Sequence, residues 1–153
     1  MAIKKKSAPA RKPKFNQNAH RVFSGGMPRA LGIQPVTLAL KRVVTEMPVR
    51  AMHLNRNGRV NGGAIMALAD VTGAAGAVAN MRPGHRSGTI ESKTNFLGAG
   101  IGPVLKAVSI PIHIGRTTSV WQTTITNSGD GSRVAIVTQT QIYLPPAVNS
   151  ADE

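Results

Sequence analysis

The sequence predicts an α+β domain in which one long apolar helix packs against an antiparallel sheet. Two observations lead there. The run Gly62–Ala79 contains a single charged side chain, Asp70. Beyond it, stretches with a period of two follow one another across short turns, the pattern of successive hairpins.

The elements follow in chain order. Residues 1–26 hold Gly, Pro and many cations and read as a disordered basic arm. Gly25-Gly26 and Pro28 mark the entry to the domain, and Pro28–Gly32 reads as a helical turn. Ile33–Leu40 and Lys41–Val49 read as two strands. In the second, Val43, Thr45, Met47 and Val49 alternate with Arg42, Val44, Glu46 and Pro48. Met52–Val60 is loop. Asn61 is a good helix cap, because its side-chain oxygen can accept a backbone N–H of the first turn. Ile65, Leu68, Val71, Ala75 and Val78 then recur at helical spacing, and the other faces are small rather than charged, so the helix is expected to be buried. Pro83-Gly84 ends it.

Gly88–Leu97 is the next strand, with Ile90, Ser92, Thr94 and Phe96 on one face and Thr89, Glu91, Lys93 and Asn95 on the other. Val104–Ile114 places Val104, Val108, Ile110 and Ile112 together, and Pro111 predicts a bulge or an unpaired position. Thr117–Asn127 and Arg133–Leu144 complete the sheet, which makes about six strands. The domain should span residues 27–145, with 146–153 a C-terminal tail.

Composition narrows the function. At 153 residues the chain can bury one sizeable core. It has no cysteine, so it forms no disulfide framework and no thiolate metal site. His20, His53, His85 and His113 show no ligand spacing, and no metal is expected. The net charge of +13 is concentrated near the start, where eight cations precede residue 30; the rest holds 11 basic against 6 acidic residues. A basic arm can hold nucleic acid, but a solvated arm is the preferred reading. Met1–Lys6 is basic with no apolar stretch after it, so no secretory signal is expected, and a cytoplasmic protein is. Gly62–Ala79 is short for a membrane span, with Asp70 at its middle and mostly Ala and Gly around it, so no membrane partner is expected.

The element order and three motifs resemble the hotdog fold, and within it the PaaI-like (phenylacetate-degradation type) acyl-CoA thioesterases. The first motif is Asn55-Arg56-Asn57-Gly58-Arg59-Val60-Asn61-Gly62-Gly63 with Leu68-Ala69-Asp70 after it. The second is the strand Gly88–Leu97, of the form G-T-x-E-x-K-x-N-F-L. The third is the turn Ile114-Gly115-Arg116-Thr117. Together they cover roughly residues 28 to 144. One position departs: Asn61 stands where the family has His, so it can cap the helix but offers no imidazole.

The resemblance implies hydrolysis of an acyl- or aryl-CoA thioester in a site shared by two subunits, as a dimer or a dimer of dimers, with no cofactor beyond the CoA of the substrate. Asp70 would be general base or nucleophile. An isolated carboxylate is costly to bury unless it is paired, and no basic residue lies between Arg59 and Arg82 to pair it locally. The helix N-terminus at Gly62 would bind the oxyanion, because its first N–H groups are unpaired and Gly62-Gly63 leaves them open. Eight residues separate Gly62 from Asp70, about 12 Å along a helix. Both cannot reach one carbonyl, so two antiparallel helices from two chains are expected.

By motif position Asn55 would orient the thioester or the water, and Thr89 would hold water by the carboxylate. Asn61, Gly63, Asn95, Phe96, Leu97, Gly115 and Arg116 would contact substrate, with Arg116 beside Asn95–Leu97 at the CoA phosphates. Read alone, Asn55 is a turn residue and Thr89 a strand residue. The competing functions are a non-hydrolytic acyl-CoA binder, suggested by Asn61, and a nucleic-acid binder, suggested by the arm. A hotdog dehydratase is disfavoured, because no His accompanies the acid on the central helix.

Overall fold

The computed structural model describes residues 14–147. It contains the six-stranded antiparallel sheet and the single long helix, the hotdog arrangement. The elements are α1 (Gly26–Ala30), β1 (Gln34–Ala39), β2 (Arg42–Pro48), α2 (Gly62–Asn80), β3 (Arg86–Phe96), β4 (Val104–Ile114), β5 (Thr118–Asn127) and β6 (Arg133–Leu144). The sheet order is β1-β2-β4-β5-β6-β3, so β3, which follows the helix directly, forms the far edge beside β6.

The helix sits in the curve of this sheet because its small residues permit close approach. Ala69, Ala75, Ala77 and Ala79 are fully buried, and Leu68 packs with Val43, Met47, Leu105, Ile125 and Val137. Two glycines decide how close the sheet comes. A Cβ on Gly76 would lie 2.6 Å from the Trp121 ring, and one on Gly73 would lie 2.5 Å from the Gln139 amide. Neither site has room for a methyl group. Trp121 is fully buried and donates its indole N–H to Ser119, which also accepts from the Tyr143 hydroxyl at 2.8 Å.

Four expectations need correction. The disordered arm does not extend to residue 26: Gln17–Phe23 forms a 3-10 turn with Ala19 and Phe23 buried. The backbone N–H of Asn16 donates to the Ala79 carbonyl at 2.9 Å, and its side-chain amide donates to Met81 O at 3.1 Å. This segment folds because the last carbonyls of α2 need donors that the helix cannot supply. Of the expected arm, residues 1–13 lie outside the described residues, as do residues 148–153 of the expected tail. The first helical turn starts two residues earlier than expected, at Gly26.

In β4 the buried face is Leu105, Ala107 and Ser109, whereas Ile110 and Ile112 are exposed. Both faces of that strand carry apolar residues, and the helix selects the smaller ones. The bulge at Pro111 is present, between Pro111 and His113. In β3 the alternation breaks. Thr89 opposes Gln141 and Ser92 opposes Gln139, so Ile90 is an extra residue in a bulge. A bulge reverses the parity of a strand. Thr89 therefore shares the helix-facing side with Ser92 and Thr94, instead of opposing them.

Candidate active site

The loop before α2 delivers the helix N-terminus. His53 is buried, and its carbonyl accepts the backbone N–H of Asn61 at 2.7 Å. Its Nδ1 accepts the Arg50 N–H at 3.1 Å, so the imidazole proton belongs on Nε2, which finds no partner of good geometry. Burial lowers the His53 pKa, the charge of Arg50 lowers it further, and the backbone of Leu31 pulls weakly the other way. The ring is accordingly a neutral strut under the loop. Asn55 builds the turn itself, its side-chain oxygen accepting the N–H groups of Asn57 at 2.9 Å and Arg59 at 3.2 Å. Gly58 adopts φ +70° there, which a side chain would strain.

Asn61 caps the helix as its sequence position suggests, its Oδ1 accepting the Gly63 N–H at 2.8 Å. The Gly62 N–H has no acceptor among the described residues. Over it lies the Phe96 ring, whose edge is 3.1 Å from where a Cβ on Gly62 would be. Phe96 thus belongs with the helix N-terminus, and Asn95 and Leu97 flank it in the chain.

Two turns along the helix, the structure brings Asp70 and Thr89 together. The Thr89 hydroxyl donates to Asp70 Oδ1 at 2.8 Å. It also accepts from Gln141 Nε2 at 2.7 Å, and Gln141 Oε1 accepts from Ser87 at 3.2 Å. Gln139 Nε2 lies 3.2 Å from the Asp70 carbonyl and 3.4 Å from Oδ1. One carboxylate oxygen is therefore held by neutral donors, while Oδ2 has no partner among the described residues. The expectation of a buried acid is corrected in degree: Asp70 is only half-buried in this chain, because β3 at the sheet edge leaves its face of the helix partly open.

Gln139 and Gln141 were not foreseen, although β6 carries their signal. They fall on the buried face with Ala135, Val137 and Tyr143, polar side chains where the alternation calls for apolar ones.

One proximity fails within the chain. Gly115 and Arg116 precede Thr118, which pairs with Ile142, which in turn pairs with Gly88. Phe96 lies eight residues further along β3, roughly 26 Å away at strand rise. Arg116 and Asn95–Leu97 are at opposite ends of the sheet, because β3 runs its full length alongside β6. Among the described residues, no group of three or more acids and histidines could hold a metal ion.

The sequence pattern describing the thioesterase superfamily matches residues 57–134, about half of the chain. ComA2 of Bacillus subtilis (strain 168), which carries the name of an esterase, is 36% identical over 94 residues, covering 60% of this chain and 74% of that protein. The 1,4-dihydroxy-2-naphthoyl-CoA hydrolase of Listeria monocytogenes serotype 1/2a (strain 10403S) is 26% identical over 102 residues, covering 67% of this chain and 83% of that one. Among solved structures, the PaaI protein of E. coli, from the phenylacetic acid degradation operon, superposes with a TM-score of 0.77 at 26% identity, covering 86% of this chain and 94% of that one.

Proposed function

The chain belongs to the thioesterase superfamily, with a PaaI-like hotdog fold, and from that premise we propose that it hydrolyses the thioester of an acyl- or aryl-CoA with Asp70 as the reacting acid. The observation that carries this reading is the state of the carboxylate. Oδ1 is clamped by Thr89 and Gln139, which fixes the group in one orientation, and Oδ2 is left without a partner. Preorganised on a rigid helix, Oδ2 can take a proton from water attacking the thioester carbonyl, and that proton then passes to the departing thiolate. Alternatively Oδ2 attacks the carbonyl itself, expels the thiolate and forms an anhydride that water opens.

The negative oxygen formed in either route needs donors, and the free N–H at Gly62 is suited to it. Gly62 and Asp70 of one chain remain about 12 Å apart by helix rise. The reading therefore includes a second copy. Strand β3 is an eleven-residue edge with Ile90 exposed at its bulge, the kind of edge that recruits a partner strand. Antiparallel pairing of two β3 edges across a two-fold axis would bring Gly62 of one copy toward Asp70 of the other. Phe96 and Leu97 would wall the acyl pocket. Asn55, whose oxygen is engaged in the turn, keeps its amide N–H groups for the thioester or the water.

The test is turnover of a panel of acyl- and aryl-CoAs by the wild type and Asp70→Asn. Loss of at least a hundredfold in kcat with the fold retained is expected, in the range of a general acid–base contribution. Equal turnover by the two proteins would remove Asp70 from the chemistry.

A further inference from the structure

The inward side of β6 carries three polar residues in succession, Gln139, Gln141 and Tyr143. Tyr143 donates to Ala77 O on the helix at 3.3 Å, and Gln139 reaches Asp70. Gln141 turns to β3 instead. Its side chain is buried where the alternation of the strand calls for an apolar residue. A buried amide is destabilising unless its polar groups are bonded, so its two hydrogen bonds define its place here. Nε2 lies 2.7 Å from the Thr89 hydroxyl, and Oε1 lies 3.2 Å from the Ser87 hydroxyl.

The directions of these bonds follow from counting hydrogens. The Thr89 hydroxyl has one, and it sits between Gln141 and Asp70 Oδ1, 2.8 Å away. An ionised carboxylate only accepts, so that hydrogen belongs to Asp70. The bond to Gln141 then exists only if the amide presents its nitrogen. With the nitrogen turned to Thr89, Oε1 faces Ser87, which must donate. Turning the amide over would point Oε1 at a hydroxyl whose only hydrogen is already given to Asp70. The array Ser87–Gln141–Thr89–Asp70 therefore runs one way, each member donating toward the carboxylate, and bonds aligned in this manner polarise one another.

We infer that Gln141, seated by Ser87, is a positioning residue that holds the Thr89 hydroxyl as a donor to Asp70 Oδ1. Thr89 is exposed, so without Gln141 its hydroxyl could rotate and water would compete for its hydrogen. With Gln141 in place, Oδ1 meets only donors, from Thr89 and Gln139, and Oδ2 is the atom left to accept a proton. The array also limits what Thr89 can offer an attacking water: it can accept from that water but has no hydrogen to give it. The direction of the array stands on the geometry alone, and its effect on catalysis rests on the hydrolase reading.

The test is a kinetic cycle on the full-length protein with one acyl-CoA, using the wild type, Gln141→Met, Thr89→Val and the double variant. Met keeps the length and approximate volume of Gln and has no donor. Gln141→Met should lower kcat roughly tenfold, as for one lost hydrogen bond, and leave KM within about twofold. In the Thr89→Val background the same substitution should change kcat by less than about twofold, because Gln141 acts only through Thr89. Wild-type kcat in a folded Gln141→Met, a loss that appears in KM instead, or the same loss repeated on top of Thr89→Val overturns the inference. Should Gln141→Met fail to fold, Ser87→Ala takes its place, since it frees the amide to turn over; a loss of roughly fivefold with the same non-additivity is expected, and its absence overturns the inference. Should the wild type hydrolyse no thioester, or Asp70→Asn match it, the hydrolase reading has failed and urea denaturation decides the array. Gln141→Met and Asp70→Ala, at positions linked only through Thr89, should then shift the midpoint non-additively when Thr89 is present and additively in Thr89→Val. The same coupling in both backgrounds, zero included, overturns the array.

Discussion

Replacing Gly73 by Ala adds one methyl group between the helix and the carboxylate clamp. That methyl would lie 2.5 Å from the Gln139 amide carbon and oxygen and 2.8 Å from its nitrogen. Gln139 is fully buried, and its nitrogen is committed to Asp70, so the amide cannot move aside without releasing that residue. Overpacking of this kind costs about 1–3 kcal/mol. Ala is intrinsically better than Gly within a helix by about 1 kcal/mol. The net effect in the wild type should therefore run from about zero to 2 kcal/mol destabilising. In a Gln139→Ala background the obstruction is gone, and the same substitution should stabilise by up to about 1 kcal/mol. The coupling between the two sites is then about 1–3 kcal/mol, as for residues in direct contact. Urea denaturation of the four proteins, read as midpoint shifts at constant slope, measures it. The activity of Gly73→Ala should fall as well, since Asp70 loses a donor. Equal costs of Gly73→Ala in both backgrounds would refute the claim that Gly73 exists to seat Gln139. Gly76→Ala is the comparison: its methyl would meet the rigid Trp121 ring at 2.6 Å, so its cost should lie at or above the upper end of that range.

Mixed dimers test the shared site. Pro is tolerated at the first helical position and lacks the N–H, so Gly62→Pro removes the proposed oxyanion donor with little harm to the helix. Co-expressing it with Asp70→Asn should restore about a quarter of wild-type activity from the heterodimers' one intact site, and no recovery means each chain is self-sufficient. Thr89→Val should lower kcat roughly tenfold to a hundredfold by removing the donor to Asp70 Oδ1, with Thr89→Ser restoring it; steady-state kinetics at saturating substrate decide this. His53 gives a pH signature. Its pKa is lowered in the folded chain, so the unfolded chain binds the extra proton and stability should fall as pH drops below about 6.5, levelling once pH passes the folded value. Thermal melts from pH 7.5 to 5 should show this slope, and His53→Gln should flatten it.

Much of the architecture was legible because it is written in periodicity. The long run with one acid marks α2, Asn61 marks its start, and the hairpin turns mark an antiparallel sheet. The separation of Gly62 from Asp70 by about 12 Å also follows from helix rise alone. Where both faces of a strand are apolar, as in β4, the same periodicity is silent about which face is inside. The presence of Asp70 as a candidate was a property of the chain, because an acid inside an apolar helix is conspicuous in one dimension. Its surroundings were not. Thr89 reaches it only because a bulge at Ile90 shifts the strand by one residue, Gln139 only because Gly73 leaves space, and the end of α2 finds its donors only because Asn16 folds back onto it. Each of these depends on contacts between residues far apart in the chain, where steric fit and hydrogen-bond satisfaction, rather than local pattern, choose the neighbour.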